Sequence, residues 1–493
     1  MRFADIWDEE NLNAIDDVWG RLEITGVTCD SRRVEPGFVF AAFPGSQVDG
    51  RHFIADAVAR GAAAVVIPDE DDVDYGVDVP IIRDHDARRR YAILAAGFAG
   101  RQPNHIAAVT GTNGKTSVAW FARQLLNAAG IDAGSAGTLG MLATSSAGGV
   151  LHQVDGSLTT PDPSDLHRDL KAVAESGVEH LILEASSHGL DQRRLDGVRV
   201  QACAFTNLSR DHLDYHGTED AYLAAKLRLF DTLVMDGGVA VVNTDARYAE
   251  AFTSAAQRRG LGVLSVGSGC HADYKLISQN AVSTGLEIVV EIAGAKRSTV
   301  VPLIGGFQTE NALVALGLAV ALGAELDQAF AGLATLKPAP GRMEYCGTRG
   351  TASVYVDYAH TPDAIATALQ AIAPHTIGKV HAIFGCGGDR DPGKRPEMAR
   401  AAADNADVIY LTDDNPRSED PAAIRKAALA GAPDAIEISD RLSAIRQAIS
   451  GLKDGDVLVV TGKGHEQGQT VGDKVLPFDD RDAVRKVLAE LSS

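Results

Sequence analysis

Short apolar runs that end in polar or glycine-rich tips, each followed by a helix-like stretch, recur along most of the chain. In the first hundred residues, FVFAAF at 38–43 and AAAVVI at 62–67 read as strands and 53–60 as a helix, which predicts a small α/β unit. The segment GRQPN at 100–104 places a glycine and a proline between two patterned stretches, so the first boundary is set there. From IAAVT at 106–110 onward, LILEAS (181–186), VQACAFTN (200–207) and VAVVNTD (239–245) are continuous apolar runs of strand length. Runs of this kind suit a parallel sheet covered on both faces by helices. After residue 273 the texture alternates: LEIVVEI (286–292) and STVVPL (298–303) predict a hairpin, and 310–322 a helix. KPAPG at 337–341 carries two prolines, which neither helix nor strand interiors tolerate, and reads as the second linker. Beyond it, VYVDYAH (354–360), VHAIFGCGG (380–388), VIYLTDDN (408–415) and VLVVTGKG (457–464) resume the strand-and-helix rhythm. The fold class is therefore α/β in three domains, 1–98, 99–338 and 339–493. The central one is a parallel-sheet unit and the last a Rossmann-like open sheet whose ligands belong at strand tips.

A chain of 493 residues matches that count, since one core rarely serves so many. Hydrophobic residues at 45% and charged residues at 23% suit a globular protein. The net charge of -20 argues against nucleic acid and anionic membranes as partners. Any anionic ligand has to be held by local cations and backbone amides. The acidic start MRFADIWDEE and the lack of an 18-residue apolar run predict a cytoplasmic protein with no membrane insertion. Cys29, Cys203, Cys270, Cys346 and Cys386 are too scattered for a zinc or disulfide framework; they are expected to be reduced and none catalytic.

The strand at 106–110 runs into Thr110, Gly111, Thr112, Asn113, Gly114, Lys115, Thr116 and Ser117 and then a helical stretch, the setting of a phosphate-binding loop. Glycines allow amides to converge on phosphate oxygens, the helix start adds a positive dipole end, and Lys115 adds a point charge. Val109 stands where the usual motif has its first glycine, so the loop is anchored at Gly111 instead. By itself the loop does not separate kinase, NTPase and ligase.

The run Gly111 to Thr116 resembles that of the Mur ligases and their relative folylpolyglutamate synthase. Further runs resemble the tripeptide-forming Mur ligases in the same order: TTPD at 159–162, EASSHGL at 184–190, 207–212, and Tyr222 with Lys226. DYAHTP at 357–362, GGDR at 387–390, DNPR at 414–417 and GHE at 464–466 continue the match. The resemblance implies that ATP phosphorylates a carboxylate and an amine then attacks the acyl phosphate. The implied substrates are a UDP-N-acetylmuramoyl dipeptide (UDP-MurNAc-dipeptide) and meso-diaminopimelate, and the implied cofactors are ATP and Mg²⁺.

It also implies roles. Lys115, Glu184, His212 and Lys226 are the expected catalytic group, with Thr116, Glu184, His212 and a carbamylated Lys226 as metal ligands. Gly111 to Ser117, Asn311, Arg342 and Asp357 are expected at ATP; Gln308 stands where many relatives have asparagine. Cys29, Ser31, Gln47, Val48, Asp49, Leu158, Thr159, Thr160, Ser186, Gln192 and Arg194 are expected along the UDP-muramoyl-peptide, and the protein is expected to act as a monomer. Arg390, Asp414, Asn415, Pro416, Arg417, Gly462 and Glu466 are expected at diaminopimelate, whose distal carboxylate an arginine can pair with and lysine would lack. Three alternatives stand beside this reading: a lysine-adding ligase, another Mur-type or folate ligase, and a P-loop NTPase or nucleotide-binding regulator on the same fold. The absence of a G-x-G-x-x-G fingerprint after any predicted strand weighs against a dehydrogenase.

Overall fold

The computed structural model describes residues 1–7, 19–45, 48–70, 73–156, 158–282 and 284–492. Among the described residues three large sheets follow one another along the chain, with a fourth of two strands near its end. The first joins Gly26–Thr28, Phe38–Ala41, Ala64–Pro68 and Ile81–Asp84, all parallel and in chain order. Helix Ala87–Ala99 covers it, started by Asp86, whose carboxylate accepts from the Arg89 amide.

The central sheet has eleven strands. At its middle Val234–Asn243, Val200–Phe205, His105–Thr110, His180–Glu184 and Ala133–Gly137 run parallel. Their near-continuous burial explains why these runs are apolar rather than alternating. Helices Lys115–Ala128 and Gly306–Ala321 pack together on one face, with Val118, Phe121, Leu125, Leu313 and Leu316 in a shared core. The expected hairpin forms between Gly285–Ile292 and Ala295–Val301, but as a continuation of the central sheet through Tyr274–Val282 rather than an appendage. At the opposite edge, Gly140–Thr144 and Val150–Val154 add two antiparallel strands that apolar patterning did not suggest. The helix expected from 310 begins at Gly306, a turn earlier.

In the third sheet the order is Glu344–Arg349, Ala352–Asp357, Val457–Thr461, Val380–Cys386, Val408–Asp413 and Ile436–Glu437, antiparallel only in the first pair. The last long strand in the sequence, Val457–Thr461, inserts between two earlier ones. This switch in order opens a crevice at the carboxyl ends, beside Asp357, Thr461 and Cys386. A small hairpin, Gly468–Val471 with Lys474–Pro477, lies over that end and bridges to Arg417.

Ion pairs tie the layers together. Arg33 meets Asp165 at 2.9 Å and Arg193 meets Asp86 at 2.8 Å between the first and central units. Lys394 meets Asp211 at 2.8 Å and Arg210 meets Asp391 at 3.6 Å between the central and third. Among the described residues, no helix is long and apolar enough to cross a membrane.

Inside the third unit, Arg441 donates to both oxygens of Asp480 at 2.7 and 2.6 Å and to the Thr461 carbonyl at 2.8 Å. Both side chains are fully buried, so the pair pins the C-terminal helix to a strand tip. Asp480→Ala would leave a buried guanidinium uncompensated. Urea unfolding should show a loss of about 3–5 kcal/mol; a change under about 1 kcal/mol, the level of an exposed pair, would contradict this account.

Candidate active site

The phosphate loop takes its shape from strand His105–Thr110, helix Lys115–Ala128 and the segment after strand Val200–Phe205. Thr206 Oγ donates to the Asn113 carbonyl at 2.6 Å, Asn207 Oδ1 accepts from the Asn113 amide at 2.9 Å, and the Thr112 amide donates to the Asn207 carbonyl at 2.8 Å. Gly114 has φ 88°, and a β-carbon there would collide with the Asn311 carboxamide. Only glycine meets both conditions. Lys115 Nζ donates to the Gly111 and Thr112 carbonyls at 2.9 and 2.8 Å, and burial pushes its ammonium down despite Glu184 and Asp211 nearby.

Glu184, at the tip of its strand, is buried and has its carboxylate fully engaged. Thr116 Oγ donates to it at 2.9 Å, the Thr138 amide at 2.9 Å and Thr138 Oγ at 3.2 Å. His212 sits at φ 51°, with Nε2 3.4 Å from Asp211 and its amide bonded to the same carboxylate. Burial, reinforced by His188 and Lys115, pushes its imidazole down to about 4 against the pull of Asp211, so it is neutral at pH 7. Lys226 is fully buried; its Nζ donates to the Gly111 carbonyl at 2.7 Å and lies 4.6 Å over the Tyr222 ring. Burial, with Lys115 beside it, drives its ammonium well below the usual lysine range.

A cavity of about 570 Å³ joins Lys115, Glu184 and His212 to the third unit, while Lys226 does not line it. Thr112, Asn113, Gly114, Lys115, Thr116, Ser117, Glu184, His212 and Asn311 line it from the central unit, and Arg342, Asp357, Tyr358 and His360 from the other side. Arg342 lies 4.1 Å over the Tyr358 ring and donates to Thr116 Oγ at 3.3 Å. Asp357 accepts from the Met343 and Ala359 amides at 2.7 and 2.8 Å, and burial raises its carboxyl. Gly111 lies behind this lining, its carbonyl shared by Lys115 and Lys226. Gln308 receives the Asn311 amide at 3.3 Å.

Among the described residues no three His, Cys, Asp or Glu side chains converge as a metal cage. The donors present are a threonine hydroxyl, a carboxylate and a neutral imidazole. These suit a magnesium ion that takes much of its shell from phosphate oxygens and water.

The expected muramoyl-peptide residues fall into two groups. Thr159 lines the cavity, while Thr160, Ser186, Gln192 and Arg194 form a network beside it: Thr160 Oγ bonds the Glu184 carbonyl at 3.0 Å and Ser186 Oγ at 3.0 Å, and Arg194 donates to the Thr160 carbonyl at 2.7 Å and Gln192 at 2.6 Å. Leu158 is exposed. Cys29, Ser31, Val48 and Asp49 do not line the cavity. Cys29 donates to Asp162 at 3.2 Å, and burial beside that carboxylate pushes its thiol up to about 12. Ser31 is buried, Val48 exposed, and the Asp49 carboxylate pairs with Arg51 at 2.6 Å. Gln47 lies outside the described residues.

The third constellation surrounds the strand tips of the last sheet. Asn415 Nδ2 donates to Glu466 Oε2 at 2.9 Å, and Arg417 donates to the Gly388 carbonyl at 2.6 Å from a backbone at φ 52°. Pro416 packs against Gly388 and Gly462 lies beside Asp414, while Arg390 Nη1 reaches only its neighbour's carbonyl at 3.3 Å. Sequence reading passed over Thr138, Lys394, His360 and Lys463, all of which touch this machinery. The Gly462–Gly464 flanks of Lys463 were the available signal.

Comparison with known proteins accords with this layout. Residues 23–99 match the Mur ligase family catalytic domain, 109–319 the Mur ligase middle domain and 341–464 the Mur ligase glutamate ligase domain. A relative from Caulobacter vibrioides named UDP-N-acetylmuramoyl-L-alanyl-D-glutamate--2,6-diaminopimelate ligase is 51% identical over 459 residues, covering 93% of this chain and 94% of its own. A solved structure of a protein of that name is 34% identical with a TM-score of 0.72, covering 100% of this chain and 99% of the other. A MurF ligase from Thermotoga maritima in complex with ADP, 18% identical and covering 97% and 100% of the two chains, shares the fold with a TM-score of 0.61.

The geometry of the loop makes Gly114→Ala a sharp test. A left-handed alanine costs about 1–2 kcal/mol before the clash with Asn311 is counted. Calorimetric titration with ATP should show binding weakened by about tenfold or more; unchanged affinity would mean that the loop does not carry the nucleotide.

Proposed function

This chain belongs to the Mur ligase family, and from that premise we infer that it is an ATP-dependent ligase that adds meso-diaminopimelate to UDP-N-acetylmuramoyl-L-alanyl-D-glutamate in peptidoglycan precursor synthesis. The observation that carries this reading is the near-full-length similarity to diaminopimelate ligases, met by a cavity that joins the phosphate loop to Arg342 and Asp357. The functional units are taken as 1–98 for the UDP end, 99–338 for ATP and 339–493 for the amino acid. In the first unit, Cys29, Ser31, Val48 and Asp49 are assigned to UDP. Thr159, Thr160, Ser186, Gln192 and Arg194 then lead the muramoyl-peptide toward Glu184.

In the reaction, the D-glutamyl carboxylate oxygen attacks the γ-phosphorus and ADP leaves. The diaminopimelate amine then attacks the acyl carbon, inorganic phosphate departs and the amine loses a proton. Lys115 and Arg342 supply fixed positive charge where the two anions meet, in a buried site where such charge counts most. Thr116, Glu184, His212 and a modified Lys226 would hold Mg²⁺, which when bound neutralises phosphate charge. Lys226 and Lys115 share the Gly111 carbonyl, so both cannot keep a proton cheaply. The neutral Lys226 amine can add to carbon dioxide, losing a proton to give a carbamate, which turns a repelled cation into an oxygen ligand.

At the amino-acid end, Arg417 has Nε and Nη2 without a protein acceptor among the described residues, which leaves them for the distal carboxylate of diaminopimelate. Lysine lacks that group. Losing such a charged pair costs about 2–5 kcal/mol, enough for a preference well above tenfold.

ADP release should require both the UDP-linked dipeptide and diaminopimelate, with lysine a poor replacement. Substantial turnover of ATP alone would favour the NTPase reading, and equal use of lysine would remove the role given to Arg417. Lys226→Ala should be nearly inactive and partly rescued by short carboxylic acids, which restore the lost oxygen ligand. A fully active alanine variant would exclude the carbamate.

A further inference from the structure

Behind the expected diaminopimelate residues lies a side chain that none of the assignments above uses. Lys463 is completely buried, yet its ammonium touches three members of that group: Asn415 Oδ1 at 3.0 Å, Glu466 Oε2 at 3.2 Å and Asp414 Oδ1 at 3.5 Å. A buried ammonium is costly unless paired, and here its three protons are matched to three acceptors.

The pairing decides what the pocket can offer. Asp414 follows the strand Val408–Asp413 and Glu466 the strand Val457–Thr461, and without a cation between them the two carboxylates would repel. Glu466 is partly exposed and would turn to water. Lys463 and Asn415 both hold Glu466 by Oε2, and no described residue donates to Oε1. The Asn415 side chain is fixed in turn, because its Oδ1 accepts from Lys463 and from the Thr470 amide at 2.9 Å, which aims its amino group at Glu466. Arg417, two residues after Asn415, has Nε and Nη2 without an acceptor among the described residues. The strand tips therefore present an anchored carboxylate for a cation and a guanidinium for an anion, the two halves of an amino-acid zwitterion.

We propose that Lys463 is a positioning residue for amino-acid specificity: by clamping Glu466 and Asn415 from inside, it aims Glu466 Oε1 at the distal ammonium of the incoming diamino acid. It does not touch the reacting atoms. The proposal rests on the diaminopimelate reading and deepens it.

The test compares two amino acids that share the reacting end and the distal carboxylate, meso-diaminopimelate and 2-aminopimelate, which lacks the distal amine. In Lys463→Met the KM for diaminopimelate should rise about tenfold or more, with kcat and the KM for ATP nearly unchanged, while kcat/KM for 2-aminopimelate moves less than about threefold. Lys463→Gln, which keeps a neutral donor for Glu466, should fall between Lys463→Met and the native protein. It carries the test if the methionine variant does not fold. Equal losses on both amino acids would reduce Lys463 to a structural residue and overturn the proposal, as would no loss on either. Failure of the underlying reading is seen separately, as absence of diaminopimelate-dependent ADP release by the unaltered protein.

Discussion

Everything in this structure depends on holding anions together inside a chain whose own charge is -20. A triphosphate and a carboxylate have to meet, and the surrounding surface repels both. The fold answers by concentrating cations where water is scarce. Lys115 stands against the Gly111 and Thr112 carbonyls, and Arg342 reaches across from the third unit to Thr116. Low local dielectric makes each of these charges count for more than a surface lysine would, and it makes each expensive to leave unpaired.

That expense explains why the site is divided between units. A single rigid cavity lined with unpaired cations would be unstable before any ligand arrived. Here each cation has a protein acceptor: Lys115 uses loop carbonyls, Arg342 a threonine and an aromatic face, and Lys463 an asparagine and carboxylates. Because both units supply these acceptors, the cations are paired before any ligand arrives.

The sequence made the skeleton of this arrangement readable because continuous apolar runs and polar tips are what a buried parallel sheet requires. Strand tips at 106–110, 181–186, 380–388 and 457–464 all fall where the structure has them, and the loop from Gly111 to Ser117 joins strand to helix as expected. Strands without large apolar side chains were harder to see. Ala133–Gly137 has none, and its last residue, Gly137, is small because the Glu184 carboxylate packs against it. Local pattern carries no trace of that long-range constraint. The residues passed over share this character: Thr138, Lys394 and Lys463 matter through partners 46, 183 and 48 positions away. The assigned UDP contacts rest on resemblance, and in the structure Cys29 and Asp49 have their polar atoms engaged by Asp162 and Arg51.

One carboxylate shows how closure and chemistry are joined. Asp211 accepts from Lys394 of the third unit and from the backbone amide of His212, whose ring it also faces. Burial alone would push its pKa up, but His212, His360 and Lys394 outweigh burial and hold it well below the usual carboxylate range. It is therefore charged at neutral pH. His212 adopts a left-handed backbone that most residues avoid, and the anion bonded to its amide braces that conformation. Since Lys394 reaches the same anion only from the third unit, the strained histidine is held most firmly when the units are together. The contact that joins the third unit to the cavity is thus also the one that steadies His212 in its lining.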